Sequence, residues 1–464
     1  MTNILFMMAD ELSWWALGHH NPAVHTPNLD RLAASSIRFA AAYTPSPICV
    51  PARAAIACGQ HLHDIGYWSS AEPYDGAVPS FFHRMQQAGV ETTSIGKLHY
   101  RFREDDTGFD QQIEPIHVLN GVGWIQGLMR RDPQPYTSAD AMAREIGPGQ
   151  SSYIDFDRRV TDAAVNWLAD PLRHTRPWCT FVSWLSPHFP LIAPEEYYAL
   201  YDPLALQSAP DHPPKHPILD EIRALYDHDR HFDQASRGIA RAGYFGLCSF
   251  LDAQVGQVLD ALEKNGLADD CVIVFTSDHG DMLGEKGFWA KSVMYESAVR
   301  VPLMIAGPNI EPDACATPVS LIDLAPTLCR VAGVSAEDFP GDDLLAPLDP
   351  DRTAMSAFHD GGASVGLTMV RWNDAGGAWK LVHYAEGHPP QLFNLTRDPT
   401  EDENLATSEP DALAEALIRL YGICDPEQEN RQAHADQAAR IAELGGWEAI
   451  KQMPVFDYTP ADSR

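Results

Sequence analysis

The sequence predicts an α/β protein, a large mixed sheet covered by helices on both faces, followed by a smaller antiparallel-sheet subdomain. Three observations carry that prediction. Short apolar runs alternate with longer amphipathic stretches up to about residue 345, the pattern of strands buried between helices. Beyond that point the runs give way to short alternating segments joined by Gly- and Pro-containing turns. Finally, 464 residues with 45% hydrophobic content suit more than one core and exclude a disordered chain.

In chain order, NILFMMA (3–9), VETTSIG (90–96), WCTFVSWLS (178–186), CVIVFTS (271–277) and VPLMIAG (301–307) read as buried strands. TPNLDRLAASS, PSFFHRMQQAG, DFDRRVTDAAVNWLAD and the stretch near 235–264 have helical periodicity between them. Thr26 as N-cap and Pro27 behind it give the first of these a start signal. The segment from 100 to 150, rich in Gly, Pro and Asp, reads as long loop. TAMSAFHD, SVGLTMVRW, AWKLVHYA and QLFNLT then predict the antiparallel sheet, with the helix EPDALAEALIRLYGI after it. A polar helix through 427–444 and an irregular tail follow. The expected division is a catalytic domain at 1–345, a subdomain at 346–425, and a C-terminal helix and tail at 426–464.

A formal charge of −31 argues against nucleic acid and anionic membranes as partners, because both need a basic face. It leaves room for a small anionic substrate in a locally positive pocket. No apolar run reaches the roughly 18–20 residues that cross a bilayer. The start, MTNILFMMADE, lacks the basic n-region of a signal peptide, so a cytoplasmic setting is expected. Eight cysteines without a CxxC pair read as reduced thiols, mostly core, and not as a disulfide framework or zinc site. In the tail, Trp447, Met453, Val455, Phe456 and Tyr458 are poorly placed in solvent. They predict docking across a subunit boundary, in a homo-oligomer, over the site mouth, or on the tail's own subunit.

Ligands of open α/β sheets bind outside the carboxyl ends of the strands. Here four strand readings end in Asp10-Glu11, Lys97-Leu98-His99, Pro187-His188 and Asp278-His279-Gly280-Asp281. One such Asp is a turn residue more often than a ligand; four chemical strand ends on one rim are not turn chemistry. Asp10, Asp278 and His279, with Glu11 as a possible fourth, form a hard donor set for a divalent cation. In SPICVPARAAIACG, Cys49 stands at a helix start, where free N–H groups and the dipole favour an anion. Arg53 adds a fork of donors suited to sulfate or phosphate. Read alone, Cys49 would be a small buried hydrophobe. Trp14, Trp15, Tyr67, Trp68 and Trp289 crowd these motifs, either as packing or as a cage for an apolar or cationic leaving group. The histidine-rich GHH (18–20), HLHD (61–64) and DHDRHFD (227–233) read as solvated loops or helix starts. GASVG (362–366) fits the serine-esterase pattern, but Ser364 leads into a strand where that motif needs a helix.

CVPAR resembles the C-x-P-[SA]-R signature of the formylglycine-dependent sulfatases of the alkaline phosphatase superfamily. The resemblance covers about residues 3 to 400. It includes TPNLDRLAASSIRFAAAYTPSPICVPAR, GKLH, SPHFP, SDHGDMLGEKGFWAKSVMYESAVRVPL and LFNLTRDPTEDENL. It implies an alkaline-phosphatase-like fold, a Cys49 oxidised to formylglycine by a formylglycine-generating enzyme, and one divalent cation at Asp10, Glu11, Cys49, Asp278 and His279. By the same resemblance, one hydroxyl of the residue-49 hydrate attacks sulfur, and His99 deprotonates the other to expel sulfate by C–O cleavage. Lys97 and Lys291 would neutralise the sulfuryl oxygens, Arg53 orient the nucleophile, and His188 protonate the leaving oxygen.

Two positions depart from the usual pattern. Glu11 replaces an Asp or Gln, which puts its ligation in doubt, and His279 replaces an Asn. The histidine is similar to choline sulfatases and phosphonate monoester hydrolases, and it favours Mn²⁺ over Ca²⁺. GKLH resembles the sulfatases more than the phosphonate hydrolases, where Tyr and Thr usually stand. The expected activity is hydrolysis of a sulfate monoester; the alternative is hydrolysis of phosphonate monoesters or phosphodiesters. His99, two residues past Lys97, is expected to project to the same side by the strand period.

Overall fold

The computed structural model describes residues 2–134, 136, 139–209, 214–453 and 459–461, and β1 (Asn3–Asp10) lies within its eight-stranded sheet. The other strands are β2 (Ile37–Phe39), β3 (Glu91–Lys97), β4 (Gln111–Ile116), β5 (Trp178–Pro187), β6 (Cys271–Ser277), β7 (Leu303–Ala306) and β8 (Asp313–Cys315). Their order is β8-β2-β7-β6-β1-β5-β3-β4. The run from β6 to β4 is parallel and β7 is antiparallel to both its neighbours, so the sheet is mixed as expected.

Alternation along β1 divides two cores. Ile4, Phe6 and Met8 face one side, with Ala54 to Cys58 of helix α1 (Cys49–Cys58). Leu5, Met7 and Ala9 face the other, with α2 (Ser152–Leu168) and the long α3 (Gln234–Lys264). Both faces are therefore covered, which is why the strands read as continuous apolar runs. All ten residues of α1 are buried. It stops at Gly59, whose φ of +62° suits glycine and whose added Cβ would lie 2.4 Å from that of Ala325.

A separate antiparallel sheet follows in the order β9 (Ala354–Phe358), β10 (Leu367–Asp374), β11 (Gly377–Tyr384) and β12 (Gln391–Asn394). Val370, Trp372 and Leu381 pack on Ala416 and Leu420 of α4 (Pro410–Ile423). The opposite face, with Leu367 and Met369, packs on Met294 and Tyr295 just beyond Lys291. α5 (Pro426–Glu443) begins at Asp425, whose side chain accepts from the N–H groups of Glu427 and Gln428.

Several expectations need correction. Residues 100–150 are not simply loop: they supply edge strand β4, whose mixed Gln-Gln-Ile-Glu pattern reflects its half-exposed position. They also form the short helix Ala141–Arg144 and the strand Ile146–Pro148. The run 301–307 is split at Pro302, with Arg300–Val301 in a small three-stranded sheet and only Leu303–Ala306 in the main one. As expected, by contrast, Ser364 leads into β10, so no esterase turn forms. In the tail, Trp447 is 43% exposed, whereas Thr459 is buried. Val455, Phe456 and Tyr458 lie outside the described residues. Among the described residues no helix is long and apolar enough to cross a membrane.

Candidate active site

Parallel pairing of β1 with β6 matches Ala9 to Ser277, so the next residues, Asp10 and Asp278, leave the sheet side by side. α1 begins over this rim and points Cys49 into it. Cys49 Sγ stands 3.5 Å from Asp10 Oδ1 and 3.0 Å from His279 Nε2. Nδ1 of His279 faces the Gly280 carbonyl at 3.1 Å and carries the hydrogen, which turns the Nε2 lone pair toward Cys49. Donor atoms of Asp10, Cys49, Asp278 and His279 all lie within 4.8 Å of one another, and all four residues are buried. Two carboxylates and an imidazole lone pair converging away from water repel one another unless a cation joins them. The donor set fits a divalent ion.

Glu11 stands outside that group. Its Oε2 accepts from Lys291 Nζ at 2.9 Å, while Oε1 is buried without a hydrogen-bond partner. Lys291 has three ammonium hydrogens and three neighbours for them: Glu11 Oε2, Cys49 Sγ at 3.5 Å and His188 Nε2 at 2.8 Å. His188 Nδ1 donates to the Phe189 carbonyl at 2.7 Å, so Nε2 is the acceptor toward Lys291. The loop carrying Lys291 is held by Asp281, which accepts from the N–H groups of Leu283 and Ala290.

Two cations serve the carboxylates from below. Lys97 Nζ pairs with Asp10 Oδ2, is 2% exposed, and is not among the residues that line the cavity. Arg53 Nε donates to Asp278 Oδ2 at 2.7 Å, and its Nη1 to the Lys97 carbonyl and Ser183 Oγ. Arg53 Nη2 is a buried donor without a partner.

His99 reaches the site by a different route from the one expected. β3 ends at Lys97 in an irregularity at Gly96 (φ +100°), where a Cβ would lie 2.1 Å from the Ser183 carbonyl oxygen. His99 itself has φ +59°. The two-residue period therefore fails, and His99 lines the cavity while Lys97 faces Asp10. Its Nε2 is 2.8 Å from Thr459 Oγ1, and Tyr153 donates to the Thr459 carbonyl at 2.7 Å.

The charge states follow from burial and neighbours. Burial opposes ionisation of Asp10, but the charges of Lys97, Arg53 and Lys291 hold it well below the usual carboxylate range. Burial pushes Glu11 up to about 7 and, with Asp10 beside it, the Cys49 thiol up to about 12. Burial, helped by Lys97, keeps His99 neutral; burial with Lys291 does the same for His188.

Above the reacting groups the cavity is walled by Trp124, Tyr136, Phe189, Tyr226, His228 and Trp289. Trp124 and Tyr226 stack at 5.7 Å with 12° between planes, and Tyr136 stands edge-on to both. Of the aromatic residues singled out in the sequence, only Trp289 lines this cavity. Trp14 lies under Arg300, Trp15 packs on Phe245, Tyr67 bonds Asp75, and Trp68 bonds Asp436. His228 is buried in the cavity wall, not solvated. Trp124, Tyr136, Tyr226 and Thr459 gave no signal in the sequence, since none follows a strand reading or a motif.

The sulfatase family profile matches residues 2–334, and the profile for the N-sulphoglucosamine sulphohydrolase C-terminal region matches 284–419. A choline-sulfatase of Rhizobium meliloti (strain 1021) is 32% identical over 99% of this chain and 93% of its own length. Arylsulfatase K of Xenopus laevis is 27% identical over 95% of this chain and 86% of its own. The crystal fold of the phosphonate monoester hydrolase SpPMH from Silicibacter pomeroyi matches with a TM-score of 0.72 at 23% identity, over 91% of this chain and 95% of that one. By these sequence matches the chain belongs to the sulfatase family and is a sulfuric ester hydrolase.

Proposed function

We propose that the enzyme hydrolyses a sulfate monoester of a small alcohol, using one divalent cation and a formylglycine made from Cys49. The observation that carries this reading is the convergence of Asp10, Asp278 and His279 on one side of Cys49 Sγ, with Lys291 and His188 on another. Asp10, Asp278, His279 and the residue-49 side chain would hold the cation, with Mn²⁺ favoured by the imidazole and Ca²⁺ the alternative. Once bound, it would supply Lewis-acid polarisation of a sulfuryl oxygen. Formylglycine, as its hydrate, would supply one hydroxyl for attack and a second that can be deprotonated.

The chain's own groups divide the remaining work. Lys291 neutralises a sulfuryl oxygen and is also the proton reservoir for His188. Because His188 Nδ1–H is committed to the Phe189 carbonyl, a proton for the leaving oxygen must pass through Nε2, the atom that faces Lys291. Neutral His99, with Thr459 on Nε2 and Nδ1 unpaired, is suited to accept a proton. Lys97 balances Asp10 and acts on the substrate only through that carboxylate. Arg53 fixes Asp278 and keeps one donor, Nη2, for an anionic oxygen.

The Trp124, Tyr136 and Tyr226 wall favours an alcohol with an apolar or cationic end, the class to which choline belongs. Rates on alkyl sulfate, aryl sulfate, phosphodiester and phosphonate monoester test the reading. Sulfates are expected to be fastest, and mass spectrometry of the residue-49 peptide is expected to show the aldehyde or its hydrate. A preference for phosphonate monoesters or phosphodiesters over every sulfate would overturn it in favour of the phosphonate or phosphodiester hydrolase.

A further inference from the structure

A second group of metal-ligating side chains lies outside the catalytic rim. His63 stands in the short helix Leu62–Ile65, four residues beyond the end of α1. Cys424 caps the end of α4, and Glu429 lies in the first turn of α5. Their donor atoms lie within 4.8 Å of one another. Cys424 Sγ is 3.3 Å from Glu429 Oε2, and His359 Nε2 holds the other carboxylate oxygen at 3.2 Å.

The Cys424–Glu429–His359 chain is self-consistent as hydrogen bonds, but it does not account for His63. Nδ1 of His63 is buried and has no hydrogen-bond partner. Its Nε2 is 3.7 Å from Asp64 Oδ2, beyond hydrogen-bond distance, so the ring is free to present Nδ1 as the lone-pair nitrogen. A buried imidazole nitrogen without a partner, on a residue that offers a ligand atom within 4.8 Å of a thiol and a carboxylate, is the arrangement of a metal site before its ion.

We propose that His63 Nδ1, Cys424 Sγ and Glu429 bind a borderline-soft divalent cation such as Zn²⁺, with water as fourth ligand. Bond lengths of about 2.0–2.3 Å put ligand atoms around one zinc roughly 3.3–3.8 Å apart, so the observed spacing, within 4.8 Å, needs a contraction of about 1.5 Å at most. On coordination the thiol loses its proton to solvent, which reaches the site because His63 and Cys424 are only partly buried. His359 stands behind the carboxylate and orients it, as groups behind metal ligands do. The thiolate separates this site in kind from the catalytic donors. The bound ion would tie the turn after α1 to the junction of α4 and α5, two segments far apart in sequence. No CxxC pattern announces it, because each ligand comes from a different element.

The test uses the full chain carrying Cys49→Ala, which removes the thiol from the catalytic rim, and Co²⁺ or Zn²⁺ alone as probe. Co²⁺ is expected to give a thiolate-to-cobalt charge-transfer band that one equivalent of Zn²⁺ bleaches. The band is expected to vanish when Cys424→Ser is added and to weaken at least ten-fold in cobalt affinity with His63→Ala. Zn²⁺ is also expected to raise the melting temperature of the Cys49→Ala protein by more than that of the Cys49→Ala/Cys424→Ser protein, which keeps only the catalytic donors. Should Cys424→Ser fail to fold, Glu429→Gln carries the same comparison. Absence of the band in the Cys49→Ala protein, or its persistence without Cys424, would overturn the proposal.

Discussion

Thr459 Oγ1 lies 2.8 Å from His99 Nε2, a contact that spans 360 positions of sequence. With Tyr153 holding the Thr459 carbonyl, it fixes one ring nitrogen of the histidine and so which nitrogen faces the substrate. Thr459→Val is expected to lose about 1 kcal/mol of positioning, or about five-fold in kcat, with KM little changed. Thr459→Ser should keep the wild-type rate. Steady-state kinetics and the acid limb of the kcat profile would show both, since a merely structural tail would not move that limb.

Exhaustive chelation is expected to abolish activity, and Mn²⁺ or Ca²⁺ to restore it. Asp278→Asn should have the same effect with the fold intact, as read by circular dichroism. Alanine is the wrong probe at this position, despite the rim location that the sequence suggests. Asp278 is fully buried against Arg53, and truncation would leave a buried guanidinium unpaired at about 3–5 kcal/mol.

His188→Asn separates proton delivery from charge stabilisation. Alkyl sulfates, whose alcohols leave poorly as alkoxides, are expected to slow by about 10²- to 10⁴-fold. Aryl sulfates with acidic phenols should slow much less. A plot of log kcat/KM against leaving-group pKa would therefore steepen, and an unchanged slope would remove His188 from that role.

Trp124→Ala tests the aromatic wall. Loss of one face of the Trp124–Tyr226 pair is expected to raise KM about five-fold for a cationic alkyl sulfate, roughly 1 kcal/mol. An anionic alkyl sulfate of similar size should respond far less.

The candidate site groups were legible because their positions follow from backbone rules. Asp10, His188 and Asp278 each follow a buried parallel strand, and the rim of such a sheet is where chain ends meet. Cys49 was legible as the start of an apolar helix. Where each side chain points was less so. Alternation puts Lys97 and His99 on one side, but Lys97 turns to Asp10 and His99 to the cavity, because the register shifts at Gly96 and His99 has a positive φ. The substrate wall was not legible at all. Trp124 lies in a turn, and Tyr226 ends a helix whose periodicity records packing on the small sheet. Edge strand β4 escaped notice for a related reason: half its side chains meet water, and its composition resembles loop.

The alternation of β1 between two cores has a consequence for error correction during folding. A slip of one residue against β5 or β6 would send Ile4, Phe6 and Met8 into the space shaped for Leu5, Met7 and Ala9. The same slip would carry Asp10 out of step with Asp278. A misaligned chain would thus be unstable before it could be inactive, and the two cores act as proofreaders for the alignment of Asp10 with Asp278.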